Sequence, residues 1–124
     1  MTTVSLSPPN AILFVFDPSH GDVRVPEYIE GRLTAGNETC VSVGTRAEVD
    51  GETVVSLGRR RDAGDLTKLE KVFEGRVETP GRKIAVVTSE FQPILHLAVP
   101  DSAAKISIWV DDNRNPGRIS VLVE

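Results

Sequence analysis

Four short runs in which apolar and polar residues alternate occupy most of residues 83–123. They are Lys83–Ser89, Ile94–Val99, Lys105–Val110 and Arg118–Val123. Pro, Gly, Asn and Asp residues separate the runs, and these residue types favour turns. Because a period of two places successive side chains on opposite faces of a strand, the pattern predicts an antiparallel β-sheet.

The preceding part of the chain fits the same class of fold. Ala11–Phe16 is apolar throughout, which predicts a strand buried on both faces. Thr39–Val49 and Thr53–Leu57 resemble the two arms of a hairpin. Asp50-Gly51 would form its turn, and the apolar residues of the arms allow either of two registers.

The segment Leu66–Val77 is compatible with two kinds of structure. Its apolar residues have helical spacing, whereas the turn sequence at residues 79–82 suits a strand that leads into the next one. We favour a strand from Leu69 to Glu78. The predicted fold is all-β: a single-domain antiparallel β-sandwich or flattened barrel of about eight or nine strands over residues 11–124, after a flexible arm at residues 1–10.

The composition narrows the classes of partner. The chain carries 14 Lys and Arg against 18 Asp and Glu, a net charge of −4, which predicts no general attraction to nucleic acid or to an anionic membrane. We expect a mild attraction to a basic protein instead. Cys40 is the single cysteine, so no disulfide forms within the chain, and we expect an unreactive thiol in a cytoplasmic protein.

The usual signatures of catalysis and cofactor binding are missing. The sequence holds no glycine-rich phosphate or dinucleotide loop and no nucleophile elbow, and its two histidines stand far apart. We predict a protein that is not an enzyme and that needs no cofactor or metal. Four polar residues crowd one segment: Asp17, Ser19, His20 and Asp22. We interpret them as turn residues, and we interpret Arg59–Arg61 as a solvated loop because no aromatic residue accompanies it.

The two runs on either side of Pro100-Asp101 predict a specific pairing. Burying the apolar residues of both runs on one face of a hairpin pairs Leu97 with Ile108. The same register sets His96 directly beside Trp109 on the other face. An indole next to an imidazole offers contact area and hydrogen bonds, so this pair is a candidate contact patch or ligand site. The simpler alternative is a cross-strand pair covered by another part of the fold.

Two acidic groups stand in predicted turns. Glu48, Asp50 and Glu52 surround the tip of the predicted hairpin, and Asp111 and Asp112 follow the third alternating run. Paired carboxylates serve acid–base chemistry when they surround a substrate, but nothing in the sequence positions these around one. Solubility is the simplest role of such loops. The functional role that we consider is an acidic patch for a basic protein partner.

The order of these segments resembles that of the ComJ-like competence proteins, a family of small bacterial proteins. The resemblance spans most of the chain and rests on Phe14–Asp17, Gly31, Cys40–Thr45, Arg82–Ser89, Leu97–Pro100 and Ile106–Trp109, followed by a final strand. The sequence departs from the family around Tyr28, where a tryptophan-bearing segment is expected. Members of the family are described as inhibitors of a nuclease of DNA uptake, so the resemblance implies a nuclease as partner, and it defines no contact residues.

Three functional hypotheses follow from these observations. The first is a non-enzymatic protein-binding module, an inhibitor or immunity protein that acts on a basic nuclease or toxin. The alternative is a β-sandwich that binds a small ligand on the face carrying His96 and Trp109. An enzyme that uses Asp17, His20 and Asp22 ranks last, because these side chains would have to converge in a concave site.

Overall fold

Alternating apolar side chains organise the chain into ten strands, which form two five-stranded sheets. The computed structural model describes residues 1–124. The strands are β1 Thr2–Leu6, β2 Ile12–Phe16, β3 Thr34–Gly36, β4 Cys40–Gly44, β5 Thr53–Arg59, β6 Glu70–Glu78, β7 Lys83–Thr88, β8 Pro93–Ala98, β9 Ala103–Val110 and β10 Arg118–Val123. Single 3-10 turns occur at Pro9–Ala11, Glu48–Asp50 and Arg60–Asp62. None of these helical segments has the length and apolar character needed to cross a membrane.

The two sheets have different strand orders. Sheet 1 runs β1-β5-β10-β9-β6, and sheet 2 runs β3-β4-β2-β7-β8. All neighbouring strands are antiparallel except β5 and β10, which are parallel. The all-β fold predicted from the alternating runs is therefore confirmed, and two packed sheets make it a sandwich. The strand favoured over a helix at residues 69–78 is confirmed as β6.

The core lies between the sheets and contains 18 buried apolar residues. β9 and β10 show how alternation builds it. Ile108 pairs with Val121, Ile106 pairs with Val123, and all four side chains face sheet 2. Burying each such side chain contributes about 1.5–3 kcal/mol, so the register of these strands is strongly specified.

The predicted hairpin of residues 39–57 is wrong. β4 pairs with β2 and β3 in sheet 2, whereas β5 pairs with β1 and β10 in sheet 1. The connection between β4 and β5 crosses from one sheet to the other, and Gly51 turns it with φ 109°. Both strands do bury one apolar face. Alternation identifies that face, but it does not distinguish strands that lie side by side from strands that face each other.

The pairing predicted for residues 94–110 is wrong for the same reason. β8 pairs with β7, and β9 pairs with β10 and β6. Leu97 and Ile108 both contribute to the interior, but they do so from opposite sheets. His96 and Trp109 therefore lie on different sheets, and no single face of the sandwich carries both.

The first residues of the chain also differ from the prediction. Where the composition suggested a flexible arm at residues 1–10, Thr2–Leu6 forms β1 and pairs with β5 along its length. Val4 and Leu6 pack against the core, while Thr3 faces outward and its hydroxyl lies 3.0 Å from Ser56 Oγ. Only two apolar residues mark this strand, so its alternation is too short to be distinctive.

Candidate functional site

Connections between strands gather at one end of the sandwich. We call this end the loop end and define it by residues 7–11, 45–52, 89–92 and 111–117. These segments join the strand termini that the register places together, such as the start of β2, the end of β4 and the end of β7. Hydrogen bonds connect them. The N–H of Thr45 donates to the carbonyl of Ala11 over 2.9 Å, and Asn10 Nδ2 donates to Ser89 Oγ over 2.9 Å.

Arg46 joins two of these connections. Its Nε donates to the carbonyl of Glu52 over 2.9 Å, and its Nη1 donates to the carbonyl of Asp50 over 3.2 Å. Its backbone N–H donates to the carbonyl of Pro116. A Cβ at Gly117 would collide with the guanidinium, so the glycine leaves the space that the arginine occupies. The acidic segment 48–52 is thereby held next to the acidic segment 111–117.

The structure thus brings together both acidic groups that the sequence singled out. Glu48, Asp50 and Glu52 lie in one connection of the loop end, and Asp111 and Asp112 lie in the adjacent one. All five residues are exposed. Their proximity is a property of the fold, since 58 residues lie between Glu52 and Asp111 in the sequence.

The five carboxylates are engaged to different degrees. Asp111 Oδ1 accepts hydrogen bonds from the backbone of Gly117 and Arg118 at 3.0 and 3.1 Å. Asp112 Oδ1 accepts two, from the backbone of Arg114 at 2.9 Å and of Asn115 at 3.4 Å. These two carboxylates shape their own loop. Glu48 and Asp50 make no side-chain hydrogen bond or ion pair, which leaves both carboxylates free to contact a partner.

Large apolar side chains are also exposed at the loop end. Val49, between Glu48 and Asp50, is 92% exposed, and Phe91 in the β7–β8 turn is 72% exposed. Both positions are ordered by hydrogen bonds of the turns that carry them. Covering these side chains with a partner would remove apolar surface from water, which favours association.

The β7–β8 turn holds Phe91 in a fixed position. The N–H of Phe91 donates to the carbonyl of Thr88 over 2.9 Å, and Thr88 Oγ1 accepts from the N–H groups of Glu90 and Gln92 at 3.3 Å. Phe91 has φ 61°, a left-handed conformation that is unfavourable for a bulky residue. The turn therefore presents an aromatic ring to solvent on a rigid backbone.

Trp109 and His96 contribute separately to the surface. Trp109 lies half-buried on the outer face of sheet 1, with Arg60 and Lys71 at 5.6 and 5.8 Å from its ring centroid. Its indole N–H donates to Ser107 Oγ over 2.9 Å, so packing and cation–π contacts already satisfy this ring. His96 is exposed on the edge strand of sheet 2.

Hydrogen bonds engage the polar side chains of the segment at residues 17–22. Asp17 is buried, and its carboxylate accepts hydrogen bonds from the Ser19 N–H and hydroxyl and from the Gly81 N–H over 2.6 Å. Burial opposes ionisation of Asp17, but these hydrogen bonds outweigh it, and its pKa lies below the ordinary value. His20 Nε2 lies 2.9 Å from Glu78 Oε1. No three His, Cys, Asp or Glu side chains converge to hold a metal ion.

Cys40 is fully buried on β4. Burial raises the pKa of its thiol to about 12. Because the thiolate is the reactive form of cysteine, the expectation of an unreactive thiol is confirmed.

Comparison with known proteins places the fold. No protein-family model matches the chain, and no curated protein sequence matches it. Among solved structures, the crystal structure of ComJ from Bacillus subtilis, an inhibitor of the DNA degrading activity of NucA, superposes over 99% of this chain and 94% of ComJ. The TM-score is 0.71 at 11% sequence identity. The chain has the ComJ fold. The resemblance to the ComJ-like proteins is thus confirmed at the level of the fold.

Sequence reasoning missed the apolar part of the loop end. The strand pattern predicts Val49 as the end of a strand and assigns no role to Phe91. A signal for Phe91 is present in the sequence, because the aromatic residue stands in the polar turn Ser89–Gln92, where nothing in a strand pattern requires it.

Proposed function

We propose that this protein is a non-enzymatic inhibitor that binds a basic protein, such as a nuclease or toxin, through the loop end. One observation carries the proposal: exposed apolar groups, held by hydrogen-bonded turns, occur at the same end of the sandwich as the unengaged carboxylates of Glu48 and Asp50. The likeness to ComJ, an inhibitor of a DNA degrading activity, supports an inhibitory role.

The chemistry of the loop end suits such a partner. Phe91 and Val49 supply apolar contact area that is desolvated on binding, and a few anchors of this kind account for most of the affinity of a protein interface. Glu48 and Asp50 supply charge at the rim, which mainly accelerates the encounter with a positively charged surface. An anchor surrounded by acidic residues therefore selects basic proteins that carry an apolar depression.

The remaining polar clusters support a role without catalysis. Asp17 is engaged by hydrogen bonds from Ser19 and Gly81, and His20 contacts Glu78. Neither cluster opens into a cavity with the other titratable groups that an acid–base reaction would need. The unreactive Cys40 is consistent with a cytoplasmic protein.

The proposal is tested by capture followed by a nuclease assay. The purified chain, immobilised through its C-terminus, is incubated with lysate of the source cell at low salt, and bound proteins are identified by mass spectrometry. We expect a basic protein that degrades DNA and whose activity falls to zero at a one-to-one ratio with the chain. A captured nuclease that stays fully active in the complex would contradict the inhibitory role.

A variant pair shows whether the loop end is responsible. Phe91→Asn removes the aromatic ring at the loop end, whereas Tyr28→Asn removes an equally exposed ring from the loop between β2 and β3. We expect Phe91→Asn to weaken inhibition at least about tenfold and Tyr28→Asn to leave it within about twofold. Equal effects of the two substitutions would place the interface elsewhere.

A further inference from the structure

A groove of about 730 Å³ lies on the outer side of sheet 2, next to the loop end. Its floor is made by small residues of β3 and β4: Ala35, Ser42 and Gly44. The segment 28–33 forms one wall, and Thr34, Thr45 and residues from 10–12 and 113–114 complete the lining. The volume is in the range of cavities that hold small organic ligands.

The wall formed by residues 28–33 is fixed to the sheet. The N–H of Gly44 donates to the carbonyl of Leu33 over 2.9 Å, and the N–H of Arg32 donates to the carbonyl of Ile29 over 3.1 Å. Leu33 packs over Gly44, where a Cβ would lie 3.3 Å from Leu33 Cδ1. The groove is therefore present without a ligand, which lowers the conformational cost of binding.

Two arginines without partners line the groove. The guanidinium groups of Arg32 and Arg114 make no hydrogen bond or ion pair, whereas Arg24 pairs with Glu38 and Arg46 binds backbone carbonyls. Arg32 and Arg114 also line the adjoining depression together, so the two like charges are neighbours.

Three acidic residues are close to the two arginines. Glu27 lines a depression together with Arg32, and Asp112 accepts a hydrogen bond from the backbone N–H of Arg114. Glu70 lines the adjoining depression, and its Oε2 accepts a hydrogen bond from Asn113 Nδ2 over 3.2 Å. It does not pair with either guanidinium. None of the three carboxylates forms an ion pair with Arg32 or Arg114, so the N–H donors of both guanidinium groups remain available. An anion with several oxygens can accept hydrogen bonds from both groups at once.

The apolar part of the lining indicates a second property of the ligand. Tyr28 is 73% exposed at the groove, and Ile12, Ile29 and Leu33 contribute to the walls. A phenol ring that is open to solvent offers a face on which a flat ring can stack. A ligand that carries an anionic group and a flat ring would therefore use both halves of the groove.

We propose that this groove binds a small phosphate ester that carries a flat ring, with the phosphate between Arg32 and Arg114 and the ring against Tyr28. A phosphate carries a charge close to −2 near neutral pH and has three oxygens free to accept hydrogen bonds, which fits two unpaired guanidinium groups better than a single carboxylate does. The groove borders the loop end, because Asn10, Thr45 and Arg114 belong to both, but nucleotide binding does not depend on the proposed inhibition of a basic protein.

The test is a titration of the isotope-labelled full chain with adenosine 5′-monophosphate, followed by amide chemical shifts. We expect shifts confined to residues 28–35, 42–45 and 113–114 and a dissociation constant below about 1 mM. Adenosine and inorganic phosphate, each of which has half of the required groups, should bind at least about tenfold more weakly. Shifts that are absent at millimolar nucleotide, or that are spread over the whole surface, would overturn the proposal.

Variants distinguish binding in the groove from a general attraction of the nucleotide to positively charged side chains. Arg32→Gln and Arg114→Gln should each weaken nucleotide binding about tenfold, because each removes a charge-assisted hydrogen-bond donor. Tyr28→Leu should weaken binding of the nucleotide and leave that of inorganic phosphate unchanged.

Arg61→Gln is the control variant. It removes an exposed arginine from another loop, and it should change the affinity for the nucleotide less than about twofold. An equal effect of Arg61→Gln and Arg32→Gln would reject the site. The spectra themselves report whether each variant is folded.

Discussion

Asp17 stabilises the junction between two segments that are distant in sequence. Its carboxylate accepts hydrogen bonds from Ser19 at the start of the loop that follows β2 and from Gly81 in the turn between β6 and β7. The residue is buried, and its pKa lies below the ordinary value of 3.8. A buried carboxylate that accepts several backbone hydrogen bonds contributes to stability only while it is ionised.

We expect Asp17→Asn to lower the free energy of unfolding by about 1–3 kcal/mol at pH 7, because the amide places a donor opposite an N–H group. The effect should depend on pH. The carboxyl binds its proton less readily in the folded chain than in the unfolded chain, so its stabilisation is complete above the unfolded pKa and is lost as the pH falls through the folded pKa. The difference between the native chain and the variant should therefore shrink below pH 4, as measured by urea unfolding.

Asp22→Asn is the matched control in the same loop. Asp22 is exposed, so this variant should change the free energy of unfolding by less than about 0.5 kcal/mol. If the two variants lose the same stability at pH 7, the hydrogen bonds of Asp17 are not the source of the effect.

Among the elements, the β7–β8 turn combines local strain with exposure. Phe91 adopts φ 61° and is largely exposed. A left-handed conformation costs a residue with a bulky side chain about 1–2 kcal/mol, and Asn tolerates it better. Strain retained at an exposed position is consistent with selection for binding rather than for stability.

We expect Phe91→Asn to change stability and binding in opposite directions. The free energy of unfolding should stay constant or rise by up to about 1 kcal/mol, measured by urea unfolding, while the affinity for the captured partner falls. Thr88→Val is the companion variant, since it keeps the ring but removes the acceptor for the Glu90 and Gln92 N–H groups. It should lower stability by about 1 kcal/mol. A loss of stability in Phe91→Asn would show that the ring supports the fold.

The strands also show how far the sequence specifies this fold. The predicted boundaries of β10 are those observed, and the predicted boundaries of β7 and β9 lie within two residues of those observed. These strands have a long alternating pattern, and turn residues stand in the segments before and after each of them. The pairing of β8 with β9 was mispredicted because alternation reports which side chains are buried and not which sheet a strand joins. β3 spans only three residues, too few to show a period of two.

The candidate site was predictable in part for related reasons. Charged residues in turns are visible in a sequence, so both acidic groups of the loop end were identified. Their proximity depends on the crossing of the chain between sheets after Gly44, which leaves no local signal. The unpaired state of Glu48, in contrast to the engaged Asp111, depends on loop hydrogen bonds that only the structure shows.

For the whole molecule, the placement of charge matters more than the net value of −4. Glu48 and Asp50 project from the loop end, whereas Asp101 and Glu124 lie at the opposite end of the sandwich. Charges at the rim of an interface accelerate association, and charges far from it act only through the screened field of the molecule.

We expect the double variant Glu48→Gln and Asp50→Asn to slow association with the captured partner about fivefold at low salt and to flatten its salt dependence. The matched variant Asp101→Asn and Glu124→Gln removes the same charge and should change the rate less than about twofold. Stopped-flow association at several salt concentrations provides the measurement. Equal slowing by both variants would mean that net charge alone steers the encounter.

The position of β10 determines when sheet 1 can be completed during synthesis of the chain. β10 is the middle strand of sheet 1, and it pairs in parallel with β5, so that Arg118 meets Val54 across half of the chain. While a ribosome is still synthesising residues 60–117, sheet 1 lacks its centre, and the β1–β5 and β6–β9 pairs have no bridge between them. Distant pairing of this kind is slow to form. The complete sandwich therefore exists only after β10 has been inserted, and the rate of that insertion sets the delay between synthesis and any activity that needs the folded chain.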